Sequence, residues 1–296
     1  MEQIYVIAAF WLGLAVISAI IAYYLHTSVS LIEICVGVAV AAIAASFGKY
    51  GRLGTDLQWL KFLGSAGAIL LTFLAGAELD PEIMRKKLKE VLLVGFVGFI
   101  APFIGCCLLA HYVLGWTLPA SLLGGVALST TSVAVVYAVL LGTGFNKTEY
   151  GKGILGACFV NDLATVVALG LLFSPFTFKT LIFMVVTIVT LMCIPFLTKW
   201  LTRAYANHAA AIRTKWVLLL LFALGALAAW AGSEAVLPAY LVGMVLAGSA
   251  AKDANWVRRL RTLTIGFLTP FYFLRAGMLV SLPTLILAPS VFLLLL

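Results

Sequence analysis

The sequence predicts an all-α polytopic membrane protein, and three observations carry that prediction. Hydrophobic residues make up 64% of the chain and charged residues 10%. A soluble domain runs about 45–50% apolar and about 25% charged, so no water-soluble fold could hide this much apolar surface. The apolar residues fall into stretches of about 20, the length that a helix needs to cross a bilayer core. The cations gather in alternate loops, as they do in multi-pass proteins. A soluble enzyme, a secreted disulfide scaffold and a disordered chain are thereby excluded. The net charge of +8 would elsewhere suggest nucleic acid. Here it reflects basic loops, so the expected surroundings are membrane lipid, with no nucleic-acid partner.

Gly, Pro and charged residues divide the apolar stretches. The first span, Ile4–Leu25, is 22 residues long. Glu2 is the only charge before it and no small-residue cleavage site follows, so it reads as a span and not as a cleaved signal. The second span is Leu31–Phe47, the third Leu57–Leu79 and the fourth Val91–Trp116. Pro119–Leu141, Tyr150–Phe173 and Leu181–Trp200 are the fifth to seventh. Trp216–Gly232, Leu237–Ala250 and Leu263–Leu282 are the eighth to tenth. An eleventh opens near Pro283 and is still apolar at Leu296. The cysteines (Cys35, Cys106, Cys107, Cys158 and Cys193) all lie in apolar runs without metal-type spacing. They read as small packing residues.

Loop charge sets the orientation. Loops after odd-numbered spans carry fourteen Lys and Arg residues, among them Lys86, Lys87, Arg213, Arg258 and Arg259. Loops after even-numbered spans, with the near-interfacial Lys61, carry four: Lys49, Arg52, Lys61 and Lys179. The odd loops are therefore expected in the cytoplasm, with the N-terminus outside. The run Arg85–Glu90 reads as an interfacial turn whose cations snorkel beside anionic headgroups.

The spans also repeat. The third ends Phe73-Leu74-Ala75-Gly76, and the tenth carries Phe273-Leu274-Arg275-Ala276-Gly277. The second holds Val36-Gly37-Val38 and the ninth Val242-Gly243-Met244. The offset of seven spans is odd and so reverses direction, the mark of an inverted-topology repeat. The repeat implies six spans, a linker helix and six further spans. By that reading the sequence holds ten spans and part of an eleventh, with roughly 80 more residues needed to complete the second unit.

Charges deep in a span are costly and default to functional candidates. Glu33, Glu234, Glu78 and Asp80 fall at span ends, where an interfacial or helix-end contact suffices. Asp162 differs. It lies mid-span, with Leu155–Val160 before it and Leu163–Phe173 after it, and no Lys or Arg is within helical reach. A carboxylate held there without a fixed partner can exchange a proton for a cation. The preceding Asn161 offers an amide that can brace broken backbone without adding charge. The fifth span carries Ser129-Thr130-Thr131-Ser132 after Gly124-Gly125. Back-bonding of the hydroxyls to preceding carbonyls is one reading. The other is a discontinuous helix whose freed carbonyls and hydroxyls face a small cation.

Asn161-Asp162, the Ser-Thr-Thr-Ser segment and the Phe73–Pro81 string together resemble the monovalent cation:proton antiporter superfamily. The closest branch is the bacterial sodium/proton and potassium/proton exchangers, including the potassium-efflux type. The resemblance covers essentially the whole chain and is most specific over residues 119–173. It implies a sodium/proton-antiporter-like fold with a broken-helix core, thirteen spans, an external N-terminus in the cell membrane and a homodimer. It implies a scaffold of residues 1–80 and 216–282, the first half of a transport core in residues 91–173, and a linker helix at 181–200. All belong to one transmembrane transporter domain that fills 1–296. The family's proton- and cation-binding aspartate maps onto Asp162, and its broken-helix positions onto Thr131 and Ser132, with Thr130 beside them.

Two departures from the family pattern stand out. Many electrogenic members carry two adjacent aspartates, whereas here the first position is Asn161. The family's basic partner lies in the eleventh span, beyond Leu296. Arg275 lies on the tenth span and reads as a scaffold residue, with Glu78 as its candidate ion-pair partner. The expected function is exchange of Na⁺ or K⁺ for H⁺ at Asp162, electroneutral because one carboxylate serves both ions, with no cofactor and no enzymatic step. Alternatives are a regulated potassium-efflux pathway, with a C-terminal regulatory domain outside this chain, and a sodium-coupled organic anion symporter.

Overall fold

The computed structural model describes residues 2–48, 50–77, 86–173, 178–205, 211–251 and 253–280. Each regular element among them is helical. In chain order these are α1 (Glu2–Leu25), α2 (Val29–Ser46), α3 (Gln58–Ala77), α4 (Leu88–Leu108), α5 (Leu118–Ser129) and α6 (Val133–Thr143). They continue as α7 (Glu149–Phe173), α8 (Phe178–Tyr205), α9 (Ile212–Trp230), α10 (Val236–Ala251), α11 (Ala254–Leu263) and α12 (Thr269–Met278). Among the described residues seven helical segments are long and apolar enough to cross a membrane, with Val236–Gly248 a shorter apolar helix. The protein is a multi-pass membrane protein. Each of the first ten predicted spans coincides with a helix or a broken pair. The eleventh, with Glu78, Asp80 and Arg85, lies outside the described residues.

Two features were not anticipated. Residues 254–263 are a separate amphipathic helix, α11, where the sequence suggested only a charged loop. Trp256, Val257 and Leu260 are buried along one side, while Arg258 and Arg259 are exposed. Asp253 caps α11 by accepting the Trp256 backbone N–H at 3.0 Å, and it pairs with Arg213 at 3.2 Å. Arg213 also lies 3.9 Å from the centre of the Trp256 ring, which ties α11 to the start of α9. The second feature is a π-helical turn at Thr264–Leu268, just ahead of α12. Pro270, in the first turn of α12, has no N–H to offer the carbonyl four residues back, so the helix widens there instead of continuing in register.

The repeat read from the sequence has a direct structural counterpart. It exchanges the second span with the ninth and the third with the tenth, so it should convert a crossing of α2 with α12 into a crossing of α10 with α3. Both crossings exist, and both are made at glycines. A Cβ built on Gly37 would strike the Leu274 carbonyl oxygen, and one on Gly277 would strike that of Ile34. A Cβ on Gly76 would strike the Tyr240 carbonyl oxygen, and one on Gly243 that of Phe73. Small residues allow helix backbones to approach this closely, which is how helices pack where lipid offers no hydrophobic drive. Gly67 adds a third such contact between α3 and the π turn, where a Cβ would lie 2.7 Å from the Leu268 carbonyl oxygen.

A stability prediction follows from these crossings. Gly76→Ala and Gly243→Ala each force backbone apart, at a cost of about 1–3 kcal/mol typical of overpacking. Both should lower the melting temperature of the full-length protein in detergent. Gly13→Ala is the control, since a Cβ there meets nothing within 4 Å. Equal melting temperatures for all three variants would show that the crossings are not as close as described.

Candidate functional site

The hydroxyl run at 129–132 divides into two structural roles. Ser129 Oγ donates to the Val126 carbonyl at 3.0 Å and Thr130 Oγ1 to the Ala127 carbonyl at 3.1 Å, so both close the last turn of α5. The backbone then leaves the helix, with Thr130 at φ −73, ψ 143 and Ser132 at φ −108, ψ 107. Ser132 caps α6 by accepting the Val135 N–H at 3.4 Å. Back-bonding and a discontinuous helix, the two alternatives from the sequence, are thus both present in adjacent residues. The carbonyl end of α5 and the N–H end of α6 meet at the break, bringing a partial negative and a partial positive charge together.

Asn161 of α7 holds the two ends. Its Nδ2 donates to the Ser129 carbonyl and its Oδ1 accepts the Thr131 backbone N–H, both at 3.2 Å. The residue is 2% exposed; its bond to Ser129 is buried and its bond to Thr131 partly buried. On the same helix Thr165 Oγ1 donates to the Asn161 carbonyl at 3.1 Å. α7 reaches this position because α4 packs closely against it. A Cβ on Gly95 would lie 2.6 Å from Val160 Cβ, and one on Gly98 would lie 3.8 Å from Asn161 Nδ2.

Asp162 follows Asn161 and lines a cavity of about 290 Å³ together with Thr130, Thr131 and Ser132. The sequence-predicted residues are therefore brought together, with Asn161 behind the break and Asp162 at the cavity. Among the described residues no Lys or Arg lies within ion-pair distance of Asp162. Three further contributors to the cavity were not anticipated. Glu234, read from the sequence as interfacial, shares it with Asp162. Tyr240 of α10 stacks on Phe159 of α7 at 4.6 Å and donates its hydroxyl to the Leu155 carbonyl at 3.1 Å. Thr72 of α3 lines the wall. Their only sequence signal was position, since an acidic residue just before the ninth span and an aromatic residue within it have many ordinary explanations.

Arg275 donates from Nε to the Thr55 carbonyl at 3.0 Å and lines a separate cavity of about 370 Å³ that Glu234 also reaches. Its candidate partner Glu78 lies outside the described residues. Glu33 departs from the interfacial reading: it is 3% exposed, enclosed by protein near the start of α2.

The sequence model of the sodium/hydrogen exchanger transmembrane family matches residues 12–296, which include every residue lining the Asp162 cavity. The chain belongs to this family. Among similar curated proteins is one from Methanocaldococcus jannaschii named "Probable Na(+)/H(+) antiporter 3", 30% identical over 246 residues, which are 78% of this chain and 62% of that protein. The antiporter NhaS4 of Synechocystis is 25% identical over 76% of this chain and 59% of its own length. The chloroplastic K(+) efflux antiporter 1 of Arabidopsis thaliana is 31% identical over 41% of this chain and 10% of its own length. The chain thus spans about three fifths of the first two relatives, 62% and 59%.

The broken helix gives a measurable expectation. Asn161→Ala leaves the buried Ser129 carbonyl without a partner, at about 1–3 kcal/mol, and frees the partly buried Thr131 N–H. Asn161→Asp keeps an acceptor for Thr131 but loses the donor to Ser129. The melting temperature of the full-length protein should fall most for Ala and less for Asp. An Ala variant as stable as the parent would show that Asn161 does not hold the break.

Proposed function

We propose that the whole protein exchanges a monovalent cation, Na⁺ or K⁺, for H⁺, with Asp162 carrying each ion in turn. The observation that carries this is a carboxylate on a cavity wall, beside a helix broken and held open by a neighbouring amide, with no cation among the described residues to neutralise it. Thr130, Thr131 and Ser132 supply oxygen atoms on the same wall. The Na⁺/H⁺ and K⁺ efflux antiporter names of the relatives support the same reading. The activity is transport, with no covalent bond made or broken, and it needs no bound cofactor. An organic anion fits this cavity poorly, because it would meet two carboxylates, Asp162 and Glu234, and no cation among the lining residues.

In this proposal the helices of residues 91–173 move against those of residues 1–80 and 216–282, with 181–200 as the link. The chain pairs as a homodimer through the latter set. The loop-charge bias supports an N-terminus outside the cell membrane. Asn161 is neutral, so Asp162 is the one carboxylate of the Asn-Asp pair, and in this proposal it alone exchanges its proton. Exchange of one H⁺ for one monovalent cation then moves no net charge.

Three outcomes test the proposal on the full-length protein in proteoliposomes. Asp162→Asn should abolish cation-coupled proton movement while the protein remains folded, and normal exchange by that variant would sink the assignment. Thr131→Val keeps the backbone N–H that Asn161 accepts but removes a cavity hydroxyl. It should raise the apparent KM for the cation more than it lowers the maximal rate, and an unchanged ion dependence would count against a ligand role. Exchange should also be indifferent to an imposed potential, whereas a translocated charge would feel about 2.3 kcal/mol per 100 mV. A rate that follows the potential would refute electroneutrality.

A further inference from the structure

The buried Glu33 lies in a cavity of its own, about 240 Å³ in volume. It is 3% exposed, and its carboxylate forms no hydrogen bond or ion pair among the described residues. Leaving a charged group buried and unpaired is costly, so such a residue persists where something else compensates it. The walls identify the kind of compensation. No Lys, Arg or His lines the cavity, whereas hydroxyls do: Ser28, Ser30 and Thr269. Ser28 and Ser30 share a hydrogen bond of 2.6 Å. The last turn of α6 closes one side. A Cβ on Gly142 would lie 3.7 Å from Ser28 Cα, so the last turn of that helix packs beside the hydroxyls. A carboxylate and hydroxyl oxygens in a wall without a cation favour a small cation and repel an anion.

The position of this cavity relative to the Asp162 site is also informative. The Asp162 cavity meets α6 at its start, Val133 and Ala134, while the Glu33 cavity meets it at Leu141 and Gly142. At 1.5 Å per residue the two ends are about 12 Å apart. Thr72 and Tyr272 face the Asp162 cavity, and their chain neighbours Leu71 and Phe273 face the Glu33 cavity. The two cavities lie on either side of the place where α3 and α12 pack together.

The geometry points to a second monovalent-cation site at Glu33, formed by its carboxylate with the hydroxyls of Ser28, Ser30 and Thr269. A volume of about 240 Å³ has room for the ion and several waters, each of which occupies about 30 Å³ in the liquid. The site is separate from Asp162 and does not depend on the role proposed for that residue.

Equilibrium binding separates the two. The full-length protein in detergent is titrated with NaCl, KCl or RbCl at ionic strength held constant with choline chloride, and its melting temperature is followed. In the Asp162→Asn variant a cation-dependent rise should remain. Adding Glu33→Gln should move the midpoint of that rise at least about tenfold higher, about 1.4 kcal/mol of binding. A rise that survives Glu33→Gln unchanged overturns the second site, and so does the absence of any rise in Asp162→Asn. If the Gln variant does not fold, Glu33→Asp keeps the charge on a shorter arm. A shifted midpoint then supports ligation and an unmoved one refutes it. Loss of transport in Asp162→Asn without a residual titration would leave the exchange proposal standing and remove this one. Normal transport with a residual titration would do the reverse.

Discussion

Inside a membrane a peptide group has no water to bond, so a helix can be interrupted there only if the protein itself satisfies the groups set free. Asn161 meets that requirement. An amide is suited to the task because it carries one accepting and two donating positions, and the break presents one carbonyl, at Ser129, and one N–H, at Thr131. An ionised carboxylate could only accept, and an apolar side chain could do neither. Successive residues on a helix are turned by about 100° from one another. The residue that braces the break is therefore followed at once by one that looks elsewhere, and Asp162 looks into the cavity. The Asn-Asp order on α7 and the hydroxyl run between α5 and α6 form a single arrangement.

Much of this was legible because lipid imposes strict rules on sequence. Apolar runs of spanning length located the helices, and alternate loops showed the charge bias. Four consecutive hydroxyls inside an apolar run located the break. The glycine pairs were legible for a different reason. Gly37 with Gly243, and Gly76 with Gly277, stand in matching local strings, and matched strings an odd number of spans apart imply reversed copies. The sequence could relate each glycine to its repeat mate. It could not show that Gly37 touches Gly277 and Gly76 touches Gly243, because contact is a property of the fold.

The missed features have separate causes. Glu33 and Glu234 stand near span ends in the sequence, where an acidic residue normally reaches water. Whether it does depends on what other helices place above it, and for Glu33 the end of α6 and the wall of α12 close it in. The helix α11 was missed because its buried stripe amounts to Trp256, Val257 and Leu260 within ten residues that also carry three arginines. In composition that is a loop. Its helical character shows only in the spacing of those apolar residues and in the cap at Asp253. The π turn before α12 has a local cause in Pro270, but a proline can equally begin a new helix, and the sequence does not separate the two.

The glycine crossings have a mechanical consequence. Where side chains separate two helices, small displacements are absorbed by rotamers, and the pair can slide. Where backbone meets backbone, as at Gly37 with Gly277 and Gly76 with Gly243, no rotamer is available to yield. Those pairs have little compliance, and a load applied to one helix is passed undiminished to its mate. The junction between α7 and α10 is built differently, from the Phe159–Tyr240 ring stack and one hydroxyl bond to the Leu155 carbonyl. Such a contact between side chains can adjust through their torsions, which a backbone-to-backbone contact cannot. Stiffness is thus concentrated in the helices that the repeat relates, and slack in the joint beside the cavity-facing carboxylate.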